Sequence, residues 1–217
     1  MATNWSLYLV TDPQQGGGPE NVAPIVDKAI RGGVSVVQLR DKDATEEEFL
    51  ARARQLKELM EPTGVQLFVD DRLDVACELG LNLHIGQNDV DYLEARKKLP
   101  GNLMLGLSVG NHRELDEVER MDPALRPDVI GVGPVADTTT KKDAPAGIGV
   151  QAFAEIATRA KGLGVPAVAI GGVNLTNASE LGGTDGAGIC VVSAIMKAAD
   201  PEQAARALRS AFEQGRK

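Results

Sequence analysis

No stretch of this chain approaches the ~20 consecutive apolar residues that a membrane-spanning helix needs, and no basic segment leading into an apolar run opens it. The expected setting is the cytoplasm, with no membrane partner. Cysteine is scarce: Cys77 and Cys190 sit in apolar stretches, without CxxC spacing or a nearby His cluster. That excludes a disulfide framework or a zinc site and predicts buried free thiols in a reducing compartment. Positive charge is in deficit, 23 Lys plus Arg against 31 Asp plus Glu for a formal charge of −8, which excludes a general electrostatic footprint for nucleic acid. Any anion must be held by a local basic cluster. A Pro/Ser-rich linker is also missing, so residues 1–217 are expected to form one domain. The segment TDPQQGGGPE lacks the GxGxxG spacing that a doubly wound open sheet would carry after its first strand.

What is present is alternation. Eight short apolar runs (SLYLVTD, VSVVQLRD, VQLFVDD, LNLHIG, LMLGLSV, DVIGVGP, PAVAIGG and GAGICVVSA) are separated by amphipathic segments, the last being PEQAARALRSAFEQGRK. Thr45 with Glu48 forms a capping box, Asp200 caps a helix that begins with Pro201, and Gly33, Gly64, Gly80 and Gly164 stand where helices should end. Strands alternating with helices imply a parallel sheet. Eight such units at this length predict an α/β fold, a (β/α)8 TIM barrel. Gly16 to Gly18 read as a loop over its mouth or as a plain connection.

The run VVQLRDK sets Gln38, Arg40 and Lys42 at every second position, so in a strand all three point to one face. In such a barrel the active site lies at the C-terminal strand ends, and that is where the unusual polar residues fall: Asp70 and Asp71 after the third run, His84, Gln87 and Asp89 around the fourth, Ser108 in the fifth, Thr138, Thr140, Lys141 and Lys142 after the sixth, and Ser193 after the eighth. Each has a bland alternative. Asp71 and Asp89 could cap helices, His84 could be a satisfied interior residue, and the lysines could be a solvated loop. Their collection at one end of the barrel is what the bland readings do not explain. Gly171 and Gly172, with Ser193 one strand on, suggest a monophosphate site made from backbone N–H groups. Arg40 and Lys42 beside Asp71 and Asp89 suggest a diphosphate bridged by Mg²⁺.

Taken in order, YLVTD, VQLRDK, DDRLDVA, LHIGQND, LGLSV, GVGPV with TTTKKDAP, AIGGV and VVSAI closely resemble the thiamine phosphate synthase (thiamine-phosphate pyrophosphorylase) family over nearly the whole chain. The resemblance implies a barrel enzyme, a transferase that joins a pyrimidine methyl diphosphate to a thiazole phosphate, or its carboxylated form, and releases pyrophosphate. It implies that Gln38, Leu39, Arg40, Asp41, Lys42, Asp70, Ser108 and Lys141 hold the pyrimidine diphosphate. Arg40, Lys42, Ser108 and Lys141 would be the catalytic members. Thr138, Thr139, Thr140, Gly171, Gly172, Val192 and Ser193 would hold the thiazole phosphate, and Asp71 and Asp89 one Mg²⁺.

This chain departs from the family in having Asp70 where Asn is usual and Ala136-Asp137 where an aromatic-Pro pair is usual; Asp70 is expected to join or tune the metal site. Three rivals differ in what they need. A thiazole tautomerase-like enzyme has no use for Arg40, Lys42 and the two carboxylates. A sugar-phosphate isomerase needs an acid-base pair beside a single phosphate, and a silent sensor of thiamine precursors would bind without releasing pyrophosphate. The residues select no oligomeric state and leave a homodimer open.

Overall fold

The computed structural model describes residues 2–138 and 145–217. Eight parallel strands, β1 (Leu7–Val10), β2 (Val36–Leu39), β3 (Gln66–Asp70), β4 (Asn82–Ile85), β5 (Leu105–Val109), β6 (Val129–Val132), β7 (Ala167–Ala169) and β8 (Gly188–Val191), close in sequence order, with β8 paired back onto β1. All eight expected strands are present, each shorter than its apolar run. The helices around them are α1 (Val22–Arg31), α2 (Glu46–Met60), α3 (Leu73–Leu79), α4 (Tyr92–Lys98), α5 (His112–Arg120), α6 (Gly149–Gly162), α7 (Ala178–Gly182), α8 (Ser193–Met196) and α9 (Pro201–Gly215). No described helix is long and apolar enough to cross a membrane.

Local chemistry sets the boundaries. Thr45 and Glu48 form the reciprocal capping box at the start of α2, and the Asp200 side chain accepts from the Gln203 N–H ahead of Pro201. Gly64 and Gly80 take left-handed φ of 71° and 64° where the chain turns from a helical segment toward a strand. The eighth apolar run reaches Ala194, but its strand ends at Val191, ahead of Ser193 as expected: Val192 (φ −120°, ψ −83°) turns the chain so that Ser193–Met196 coil and bury Ile195 and Met196.

Strand period separates two layers of core. Residues such as Leu9, Val37, Leu39, Val69, Leu83, Leu107 and Ile130 face outward and pack with Phe49, Leu56, Phe153, Leu181 and Phe212 of the helices. Their alternates, Tyr8, Val36, Phe68, Val129, Val168 and Cys190, with Trp5 below, fill the barrel interior. Trp5, Tyr8 and Phe68 pack as mutually tilted rings at centroid separations of 5.8 to 6.3 Å, and fully burying each large apolar side chain contributes roughly 1.5–3 kcal/mol. The lower barrel is therefore a packed plug of side chains.

Both cysteines are free, as expected, but only Cys190 is fully buried; Cys77 on α3 is half-buried. Gly16 packs toward Met196 and Ile25 on the helical side of the barrel, so the GGG segment is a connection and not a cover for the mouth.

Candidate active site

Above the plug, the C-terminal strand ends surround a cavity of about 360 Å³. Arg40 and Lys42 lie just past the end of β2 and continue its alternation, so that Gln38, Arg40 and Lys42 all line this cavity. Arg40 is anchored through its backbone: its N–H donates to Thr11 Oγ1 at 3.0 Å, and the Thr11 hydroxyl donates to the Arg40 carbonyl at 3.2 Å. Its guanidinium lies 3.5 Å from Asp12 and 3.7 Å from Asp70. Lys42 Nζ is 3.2 Å from Asp70 and donates to Asp71. Burial works against the Lys42 cation, but the two carboxylates outweigh it and raise its pKa.

Gln38 links this basic pair to the plug. Its Oε1 accepts from the Tyr8 hydroxyl at 3.0 Å and its Nε2 donates to Asp70 Oδ1 at 2.6 Å, which fixes the orientation of the amide.

Three carboxylates, Asp70, Asp71 and Asp89, gather on the same flank as the two cations. Asp71 holds a left-handed backbone, φ 59°, the only non-glycine positive φ among the described residues; Asp tolerates this region better than most residues. It does not cap α3, whose N-cap is Arg72, and Asp91 rather than Asp89 caps α4. Asp89 accepts instead from the Gly86 N–H at 2.7 Å. Burial, the charge of Asp70 and a hydrogen bond with Asp89 push the Asp71 carboxyl up to about 7, against the pull of Lys42. A strained, incompletely compensated acidic pair of this kind fits a hard cation. No cluster of three or more His, Cys, Asp or Glu forms a ready-made cage among the described residues, and Mg²⁺ commonly needs only one or two carboxylates when phosphates and water complete its shell.

Across the cavity, Gly171 and Gly172 both have positive φ, 83° and 69°. A Cβ on Gly171 would lie 2.5 Å from Pro134 Cβ, and one on Gly172 would lie 2.7 Å from the Ala136 carbonyl, so conformation and space both demand glycine. Ala136 packs directly against that turn, and Asp137 accepts from the Gly147 N–H at 3.0 Å. Val192 and Ser193 bring the start of α8 to the same wall, and Thr138 lines it too. Between the two walls, His84 Nε2 meets Ser108 Oγ at 3.1 Å, and the Gln87 side chain donates to the Ser108 carbonyl at 2.7 Å.

The cavity thus gathers Gln38, Arg40, Lys42, Asp70, Asp71, Asp89, Ser108, Thr138, Gly171, Gly172, Val192 and Ser193. Leu39 and Asp41 were expected beside them, but their side chains point elsewhere. Leu39 is in the outer core, and Asp41 pairs with Arg52 of α2. Period two makes this unavoidable, since they alternate with the inward residues. Thr139, Thr140, Lys141 and Lys142 lie outside the described residues. Among the residues at or beside the cavity that went unnoticed in the sequence are Tyr8, Asp12, Pro134 and Ile170. Only Tyr8 carried a signal, an inward strand position with a hydroxyl that needs a partner.

The thiamine monophosphate synthase family profile matches residues 7–195. The chain belongs to this family. Among relatives, a thiamine-phosphate synthase of Syntrophomonas wolfei is 40% identical over 212 residues, covering 97% of this chain and 98% of that one. The thiamine biosynthesis multifunctional protein ThiED of Corynebacterium glutamicum is 56% identical over 215 residues, covering 97% of this chain. The chain spans 28% of that protein's length and 30% of its Corynebacterium efficiens counterpart. A solved family member, thiamine phosphate pyrophosphorylase from Pyrococcus furiosus, superposes with a TM-score of 0.86 at 33% identity, over 98% of each chain.

Proposed function

We propose that this chain is a thiamine-phosphate synthase that joins 4-amino-2-methyl-5-(diphosphooxymethyl)pyrimidine to 4-methyl-5-(2-phosphoethyl)thiazole, or its carboxylated form, giving thiamine phosphate and pyrophosphate. One observation carries the reading: a cavity of about 360 Å³ has a cation pair and an acidic pair on one wall and a left-handed Gly-Gly turn beside the start of α8 on the other. Two differently built anion sites facing each other suit two phosphorylated substrates.

The chain's own residues would act as follows. Arg40 and Lys42 grip the diphosphate and stabilise the charge that develops on it as the pyrimidine methyl carbon-oxygen bond breaks. Gln38 and Ser108 orient the aminopyrimidine, while the Gly171-Gly172 turn, Val192 and Ser193 seat the thiazole phosphate. The thiazole nitrogen then forms the new carbon-nitrogen bond at the carbon the diphosphate leaves. Asp71 and Asp89 would hold Mg²⁺, which when bound adds positive charge to the leaving diphosphate. Lys141 would assist the diphosphate, and Thr138, Thr139 and Thr140 the thiazole. Leu39 and Asp41 would contribute through their backbone alone. No side-chain nucleophile enters this scheme, because the thiazole supplies the attacking nitrogen.

The test is to incubate the protein with both substrates, with and without Mg²⁺, and to measure thiamine phosphate and pyrophosphate together. Equimolar, metal-dependent appearance of both is expected. Binding of the thiazole phosphate with neither product formed would refute the transferase and leave a tautomerase or a sensor.

A further inference from the structure

His84 occupies the inward face of β4, and the barrel is built around its ring. In the strand register His84 lies beside Gly106 of β5, and Ser108 lies beside Gly131 of β6. A Cβ on Gly106 would come 2.4 Å from His84 Nδ1, and one on Gly131 would come 3.4 Å from its Cε1. The imidazole therefore rests on bare backbone, where Gly106 leaves no room for any side chain. Nε2 reaches Ser108 Oγ at 3.1 Å, whereas Nδ1 is buried and has no hydrogen-bond partner among the described residues.

That asymmetry selects a tautomer. An imidazolium would carry N–H on both ring nitrogens and strand the one at buried Nδ1, so the same geometry favours a neutral ring. A neutral imidazole has one N–H. If Nδ1 carried it, a buried donor would be left without an acceptor. With the proton on Nε2, only a lone pair goes unused, and unpaired buried acceptors are tolerated more readily than unpaired donors. Nε2–H then donates to Ser108 Oγ, and the serine's own hydrogen is left to point at a ligand.

We propose that His84 is a positioning residue that makes Ser108 a hydrogen-bond donor toward the cavity, so that the site selects a heterocycle presenting a ring-nitrogen lone pair there. The proposal rests on the reading that this cavity receives the aminopyrimidine.

Two experiments test it, and the first needs no substrate. The chain has two histidines, so nitrogen-15 NMR of histidine-labelled protein reports two rings, and His112→Gln, on the exposed side of α5, identifies His84 by elimination. An Nε2–H tautomer is expected; an Nδ1–H tautomer, or an imidazolium at neutral pH, overturns the proposal. In the second, His84→Leu should lower kcat/KM for the pyrimidine diphosphate about five- to tenfold, mainly through KM, the size of one lost neutral hydrogen bond. His84→Gln, whose amide nitrogen reaches the same place, should recover most of that loss. In a Ser108→Ala background, His84→Leu should add less than about twofold, because the two residues act as a unit. Equal losses in both backgrounds would mean that His84 acts on the barrel and not through Ser108, and would overturn the proposal. A wild-type protein that makes no thiamine phosphate would instead refute the proposed function, and the tautomer would still decide the polarity of Ser108.

Discussion

Asp70 is the residue whose replacement has the most informative sign. Its carboxylate accepts from Gln38 on one oxygen, while the other lies 3.2 Å from Lys42 and 3.7 Å from Arg40. It is an internal counter-ion seated where the two cations of the proposed diphosphate grip converge. Asp70→Asn keeps an oxygen for Gln38 and removes the charge. A phosphoryl oxygen bound to Lys42 would lie about 6 Å from the Asp70 carboxylate, adding an ordinary hydrogen-bond length to the observed 3.2 Å. At that separation each unit of ligand charge is repelled by roughly 0.7 kcal/mol in a water-like medium and about 2.8 kcal/mol at an effective dielectric of 20. The site is partly open, so we expect the lower half of that range, about a tenfold gain in affinity for inorganic pyrophosphate with Mg²⁺. Titration calorimetry at two salt concentrations measures it, and the gain should shrink as salt screens the charge. Unchanged or weaker pyrophosphate binding by a folded Asp70→Asn protein would refute this reasoning. A matching loss of Mg²⁺ affinity would show that Asp70 is a metal ligand, as the sequence had suggested, and not a counter-ion.

Other perturbations separate stability from function. The metal-free protein should lose stability as pH rises from the ordinary carboxylate value of 3.8 through about 7, because the folded state holds the Asp71 proton more tightly than the unfolded chain does; urea unfolding at pH 5 and pH 8 should show this, and Asp71→Asn should flatten it. Asp41→Ala leaves Arg52, its largely buried partner on α2, uncompensated, and should cost about 3 kcal/mol in urea unfolding, the scale for breaking a buried pair. Gly182→Ala would place a Cβ 2.0 Å from the Phe212 carbonyl, where α7 meets α9, and should cost at least about 2 kcal/mol as an overpacked contact. A cost under about 0.5 kcal/mol would mean that the two helices separate freely.

The architecture was legible because its signals are periodic and repeated: eight apolar runs, capped helices and terminal glycines agree on one alternation. The site was legible for a related reason. Inward polar residues at the strand ends have no place in a plug, so Gln38, Asp70, His84 and Ser108 announce themselves. What the sequence hid depends on backbone turns. Asp71 was named as a metal ligand with a helix cap as its alternative, and the left-handed φ, which no sequence pattern announced, goes with its place at the cavity and not at a cap. Leu39 and Asp41 entered the expected site through a contiguous motif, although alternation sends their side chains outward. The short helix α8 was not foreseen because VVSAI is apolar enough for either a strand or a helix, and periodicity cannot separate the two over so few residues.

The same alternation ties the chemistry to the core. Inward positions come in pairs two residues apart: Val36 and Gln38, Phe68 and Asp70, Gly106 and Ser108, Val129 and Gly131. The lower member of each pair belongs to the plug or makes room within it, and the upper member meets the cavity or supports it. A one-residue slip of any strand would remove both members together, so the register that packs the plug also aims the polar groups. The hydrogen bond from Tyr8 to Gln38 and the seat of His84 on Gly106 then carry rigidity from the packed interior upward. The polar floor of the site is therefore set before any ligand arrives. Substrate binding energy need not be spent on ordering it and remains available for the transition state.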